Sequence, residues 1–229
     1  MSDMVIGDAD LRAHLAMPVG GGPWPGVVVL HEALGLTRDI RRITDRIAQR
    51  GYLAVAPDLF SDGGLLRCVK RVFTDLTRGS GQAVDDVLAV TSWLSGRDDC
   101  TGRVGVVGFC MGGGFALLVS ARGVDVVAPN YGPIPQDLRV LDGACPVVAS
   151  YGARDRFMPR GIGHDLAAAL EQRGVPHDVK TYEGVGHSFL NDHGPFERLE
   201  RVLGLHHDAD VAADAWKRIY RYFAEHLHG

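Results

Sequence analysis

Apolar residues along this chain follow two alternating rhythms. A short continuous run at Gly26–Leu30 looks like a buried strand of a parallel sheet, and Tyr52–Ala56, Val104–Val107, Val124–Ala128 and Val147–Tyr151 follow as strands. His177–Thr181 is read as a further strand. Helical spacing separates the runs: Thr37–Gln49 places Ile40, Ile43 and Ile47 on one face, and Ala83–Leu94, Met111–Ala121 and about Gly161–Gln172 behave alike. The closing stretch Val211–His228 is amphipathic, with Trp216, Ile219, Tyr220, Phe223 and Leu227 as its apolar face. The alternation predicts an α/β fold, a mostly parallel sheet with helices on both faces, in one domain over residues 1–229. Phe60–Ser80 and Asn191–Asp210 resist the pattern. Segments of that length are usually lids or small inserted helices. Open α/β sheets bind ligands beyond the carboxyl ends of their strands, so either segment is expected to border a site.

Composition narrows the function. Hydrophobic residues make up 46% and charged residues 23%, with a net charge of −4 and no Lys/Arg-rich run, which argues against nucleic-acid and membrane-surface partners. Met1–Asp10 lacks a basic segment followed by an apolar run, and no apolar stretch approaches a membrane span, so a cytoplasmic location is expected. The four cysteines, Cys68, Cys100, Cys110 and Cys145, are too widely spaced for a disulfide framework. Among the ten histidines, His31-Glu32 is followed by Gly35 where an H-E-x-x-H zinc motif needs histidine. His206-His207, ahead of Asp208 and Asp210, matches no metal motif and reads as surface. No metal or cofactor is expected.

The chemistry concentrates at Gly108-Phe109-Cys110-Met111-Gly112-Gly113-Gly114, between a strand and a helix. The nucleophile elbow of α/β-hydrolases has the form G-x-(nucleophile)-x-G in this setting. Small flanking residues let strand and helix approach around a strained turn, and the helix N-terminus favours a thiolate and an oxyanion. A free cysteine is most often a buried small hydrophobe, and that reading holds for Cys68, Cys100 and Cys145. A phosphate loop is excluded by the absence of G-x-x-x-x-G-K-[ST] and of G-x-G-x-x-G spacing. The elbow requires an acid and then a histidine later in the chain. Asp155 follows Val147–Tyr151, and His187 follows His177–Thr181 in Gly184-Val185-Gly186-His187-Ser188-Phe189. Alone, the first would read as a turn or cap aspartate and the second as a loop histidine; their order after an elbow favours catalysis. The loop after the first buried strand, His31-Glu32-Ala33-Leu34-Gly35, is placed to supply an oxyanion N–H from Ala33, opposite that of Met111. Glu32, an acid beside a thiol, is unusual for a plain oxyanion loop.

With these residues the chain resembles the dienelactone hydrolases over nearly its whole length. The resemblance rests on His31-Glu32 with Gly35, the elbow at Cys110, Gly152 with Asp155, and Gly186-His187-Ser188-Phe189; the segment around Pro18–Gly35 and the closing helix with Trp216 and Phe223 also match. It implies an α/β-hydrolase fold and metal-free opening of a lactone, with Cys110 attacking the carbonyl, His187 as general base and Asp155 orienting it. It also implies that Glu32 contacts the resting thiol and is displaced by an anionic substrate. Arginines grip the substrate carboxylate in that family; Arg67 and Arg71 mark one candidate region here. A second arginine is expected shortly after the histidine, where this chain reads Phe189-Leu190-Asn191-Asp192-His193, and Phe196–Asp210 departs from the pattern.

The resulting expectation is a carboxylic ester hydrolase with a Cys-His-Asp arrangement, acting on a small-molecule ester or lactone as a monomer or homodimer. The alternatives are a broad thiol-dependent carboxylesterase, and a non-catalytic α/β-hydrolase-fold protein that binds a ligand. A redox-sensing thiol would need a resolving cysteine, and none neighbours Cys110 in sequence.

Overall fold

The structure, a computed structural model, describes residues 2–6, 11–61, 63, 65–192, 205 and 207–228, with the backbone alone at 2 and 65–67. Its centre is an eight-stranded sheet in the order β1-β2-β4-β3-β5-β6-β7-β8. The strands are β1 (Ser2–Ile6), β2 (Leu11–Ala16), β3 (Trp24–Leu30), β4 (Leu53–Pro57), β5 (Cys100–Phe109), β6 (Val126–Asn130), β7 (Val147–Gly152) and β8 (His177–Tyr182). From β4 to β8 across the sheet every pairing is parallel, while β1 and β2 add an antiparallel hairpin at one edge. That hairpin escapes the sequence pattern because β2 interleaves its apolar residues with Arg12 and His14. His14 is nonetheless buried, held by Asp45 at 2.8 Å and Asp3 at 3.2 Å.

Alternation along β3 divides the core. Val28 and Leu30 face one layer with α2 (Leu65–Arg78), α3 (Gln82–Ser95), α4 (Met111–Val119) and α5 (Ile162–Glu171). Val27 and Val29 face the other layer, with α1 (Arg38–Gln49) and α6 (Ala209–Leu227). The predicted stripe of α1 is fully engaged: Ile40, Ile43 and Ile47 are buried, each contributing on the order of 2 kcal/mol. Thr37, read as helical from spacing, is instead its N-cap and accepts from Ile40 N at 3.3 Å.

Much of the irregular Phe60–Ser80 stretch is α2. Its stripe is thin, with Cys68, Val72 and Leu76 buried among charged neighbours, and tertiary contact completes it. Asp75 near its end accepts from Ala83 N at 3.1 Å, so one helix caps the next. On the other face, Arg218 anchors α6 to the sheet through both oxygens of Asp178 (2.7 and 3.1 Å), Ser150 Oγ and the Ala149 carbonyl. Burial alone would raise the Asp178 carboxyl, but hydrogen bonding and charge from Arg218, with Arg221, outweigh it and lower its pKa. No helix among the described residues is long and apolar enough to cross a membrane.

Candidate active site

β5 delivers Cys110 and α4 begins at the next residue. The backbone of Cys110 has φ 54° and ψ −120°, a conformation that costs a non-glycine residue roughly 1–3 kcal/mol. Two glycines make the turn feasible. A Cβ on Gly108 would stand 2.0 Å from the Gly112 carbonyl oxygen, and one on Gly112 would stand 2.4 Å from the Leu30 carbonyl oxygen. The strand, the helix and the end of β3 therefore touch backbone to backbone. The turn is held by Cys110 N donating to the Asn130 carbonyl at 3.0 Å and by Gly113 N donating to the Cys110 carbonyl at 2.9 Å. As the first residue of α4, Met111 has an N–H with no intrahelical acceptor.

His187 and Asp155 reach this elbow from the ends of β8 and β7. The two loops interlock: Arg154 N donates to the Val185 carbonyl at 2.9 Å, and Gly152 lies against the carbonyls of Val185 and Gly186. His187 Nδ1 donates to Asp155 Oδ2 at 2.7 Å. Asp155 Oδ1 accepts from the amides of Phe157 (2.8 Å) and Met158 (3.3 Å), which fixes the carboxylate. Burial alone would lower the His187 pKa, but the hydrogen bond to Asp155 and the neighbouring Cys110 outweigh it and push it up to about 9.

The loop after β3 is pinned by His31. Its Nε2 accepts from Leu59 N at 3.0 Å, so the ring proton sits on Nδ1, which donates to the Glu32 carbonyl at 2.6 Å. Burial holds the His31 pKa below its ordinary value, which keeps the ring neutral and this tautomer in place. Glu32 is buried rather than solvated, at 4% exposure. Ala33 follows it on the same pinned loop.

Tyr131, Asn191 and Asp39 went unread as site residues in the sequence. Tyr131, just beyond β6 with φ 40°, is fully buried, and its ring lies 5.0 Å edge-on from that of His187. Its hydroxyl donates to Asn191 Oδ1, and Asn191 Nδ2 donates to the buried Asp39 at 2.8 Å. Burial, together with the negative potential of Glu32, Asp39 and Cys110, keeps the phenol neutral. The signal available beforehand was position, since Tyr131 follows a strand carboxyl end as Asp155 and His187 do.

Arg67 lies on α2 with its side chain outside the described residues; Arg71 is half-buried on the same helix. The Phe196–Asp210 departure also lies outside them, apart from residues 205 and 207–210. So does His206, whereas His207, expected as surface, is half-buried against α1 and α6. Cys68, Cys100 and Cys145 are free; burial raises the thiol of Cys100 and pushes that of Cys145 up to about 12, consistent with packing roles.

Comparison with known proteins agrees with this architecture. A 22% identical structure, a dienelactone hydrolase-like promiscuous phosphotriesterase from metagenomic libraries, superposes with a TM-score of 0.84 over 99% of this chain and 98% of its own, which shows the α/β-hydrolase fold. "Protein usf" of Aquifex pyrophilus is 31% identical over 95% of this chain and 94% of its own length. A Methylorubrum extorquens protein named "Putative carboxymethylenebutenolidase" is 28% identical over 96% of this chain and 78% of its own. The model of the dienelactone hydrolase family matches residues 11–227, from β2 to the last turn of α6 and through every loop just described; this chain belongs to that family.

Proposed function

We propose that Cys110 is the nucleophile of this carboxylic ester hydrolase and that its substrate is a lactone or activated ester. The observation that carries the reading is the strained elbow that presents Cys110, together with the 2.7 Å bond from His187 to Asp155; against burial, Asp155 and Cys110 push the His187 pKa up to about 9. A positive charge beside a cysteine sulfur favours its nucleophilic form.

In the first step Sγ of Cys110 bonds to the substrate carbonyl carbon, and the amides of Ala33 and Met111 receive the oxyanion. Each such donor contributes about 3 kcal/mol. Collapse breaks the carbon–oxygen bond, and the leaving oxygen takes the proton from His187. The thioester remains, and neutral His187 then accepts a proton from an attacking water, releasing the carboxylic acid and restoring the sulfur. Asp155 orients the ring throughout. A thiolate also leaves readily, so the intermediate partitions forward best when the alcohol is a good leaving group, as in an enol lactone. Glu32, buried in the loop beside Ala33, is assigned the control of the resting thiol, and Arg71 the contact to a substrate carboxylate.

Exposed apolar side chains support a broader carboxylesterase as the second reading. Phe157, whose ring lies 5.2 Å from that of His187, is 56% exposed, and Leu34, next to Ala33, is 55% exposed. Both suit an uncharged acyl or aryl group better than a carboxylate.

The test is hydrolysis of a cis-dienelactone and of p-nitrophenyl acetate by the wild type and by Cys110→Ala. Lactone opening that disappears in the variant supports nucleophile and substrate together. Ester cleavage alone, still dependent on Cys110, retains the nucleophile and selects the broader esterase. Activity retained in folded Cys110→Ala overturns the mechanism.

A further inference from the structure

A single hydrogen bond, from Nδ1 to Asp155, leaves the His187 ring free to turn about the line joining the two side chains. Two aromatic rings limit that turn. Phe157, centred 5.2 Å away, is exposed and belongs to the same loop as Asp155. Tyr131, centred 5.0 Å away and inclined at 61°, is fully buried and comes from the end of β6. Edge-on contact at this spacing is a preferred ring geometry, so a ring that cannot move sets the plane of its neighbour.

Tyr131 is held at both ends. Its backbone N–H donates to the Ser150 carbonyl at 2.7 Å, and its hydroxyl donates to Asn191 Oδ1. Asn191 Nδ2 in turn donates at 2.8 Å to Asp39 Oδ2, on the first turn of α1. The direction of this chain is fixed by its last member. Asp39, ion-paired with Arg42 at 3.4 Å, only accepts, so the Asn191 amide turns its nitrogen to Asp39 and its oxygen to the phenol. The phenol proton is thereby committed to Asn191, and what Tyr131 offers the site is a fixed ring.

The same asparagine fastens the segment that carries His187. Residues 185–191 are buried without interruption, Ser188 stands at φ 61°, and Asn191 N–H donates to the Ser188 carbonyl at 2.9 Å. A tight turn therefore follows His187 directly, and Asn191 ties its far end to α1, the helix next after the loop of Glu32 and Ala33. Arg42 of α1 adds a second tie by donating to the Asp192 carbonyl at 2.5 Å.

We propose that Tyr131 and Asn191 are positioning residues which, anchored on Asp39, hold the imidazole of His187 in the orientation that proton transfer requires. They act through His187 and not on the substrate. The proposal rests on His187 as the base of the ester chemistry. A misplacement of about 1 Å can cost on the order of 10²-fold in rate, so loss of one anchor acts on turnover rather than on binding.

The test is steady-state hydrolysis of the ester or lactone that the wild type cleaves, by Tyr131→Phe and Asn191→Leu, with NMR of histidine-labelled protein. His187→Gln identifies the signals of that ring. Both folded variants should lose about tenfold or more in kcat with KM held within about threefold, and the His187 signals should shift. The double variant should fall little further than either single one, because both removals break one chain. A lowered thermal midpoint with unchanged kcat would reduce the chain to a structural tie and overturn the proposal. A rise in KM alone, or His187 signals that stay in place, would overturn it too. If Asn191→Leu does not fold, Tyr131→Phe, which keeps the ring and loses only the hydroxyl, decides alone. Signals recorded in a Cys110→Ala background keep the two readings apart: activity retained there removes the nucleophile, while a His187 shift on adding Tyr131→Phe still supports the anchoring.

Discussion

Asp155 and His187, 32 positions apart in the chain, share a 2.7 Å hydrogen bond, and their side chains are only 3% and 5% exposed. In so dry a setting the carboxylate fixes both the tautomer and the charge of the ring, with consequences for rate, pH dependence and stability.

Replacing Asp155 by asparagine keeps the shape and removes the charge. Turnover should fall by roughly 10²–10⁴-fold. The alkaline limb of kcat/KM, set near pH 9 in the wild type by loss of the His187 proton, should move toward neutrality. A pH–rate profile of Asp155→Asn that keeps both its height and its alkaline limb contradicts the assignment.

The same raised pKa makes stability depend on pH. His187 moves from an ordinary 6.5 up to about 9 on folding, so the folded protein binds its proton more tightly than the unfolded chain. The resulting stabilisation is complete below about pH 6.5 and is lost as pH rises through about 9. Urea midpoints measured between those limits should decline in the wild type and stay flatter in His187→Gln. Parallel curves would mean that other groups dominate.

Gly112→Ala tests the packing of the elbow. The new methyl would stand 2.4 Å from the Leu30 carbonyl, between two backbones that cannot swing aside. Destabilisation should exceed about 3 kcal/mol in chemical denaturation, with activity lost in parallel. A well-folded alanine variant would show that α4 can retreat from β3.

Tyr131→Phe removes one hydroxyl and leaves Asn191 Oδ1 buried without its donor. A loss of about 1–3 kcal/mol is expected. Against Asn191→Leu, a double-mutant cycle should show strong coupling, since both residues belong to one chain of hydrogen bonds ending at Asp39. Additive effects would separate them.

How much of this was legible in the sequence depends on how local each feature is. The elbow occupies seven consecutive residues in which strand, turn and helix follow directly, so Gly108, Cys110 and Gly112 declare their geometry without any partner. The parallel strands and the stripes of α1 and α6 are equally local, because apolar period alone reports which face a core covers. Asp155 and His187 lie three and five residues past the ends of β7 and β8, so the strand pattern already set both at the same end of the sheet.

Other features required the folded chain. The edge hairpin carries polar residues that distant partners such as Asp45 neutralise, and the thin stripe of α2 makes sense only against the sheet. His31 locks the loop after β3 through Leu59, 28 positions away. Tyr131 meets Asn191 across 60 positions, and Asn191 meets Asp39 across 152. Periodicity and motif spacing record what a residue does to its near neighbours. Whether a polar side chain is buried and satisfied depends on which remote segment arrives beside it, and only tertiary packing decides that.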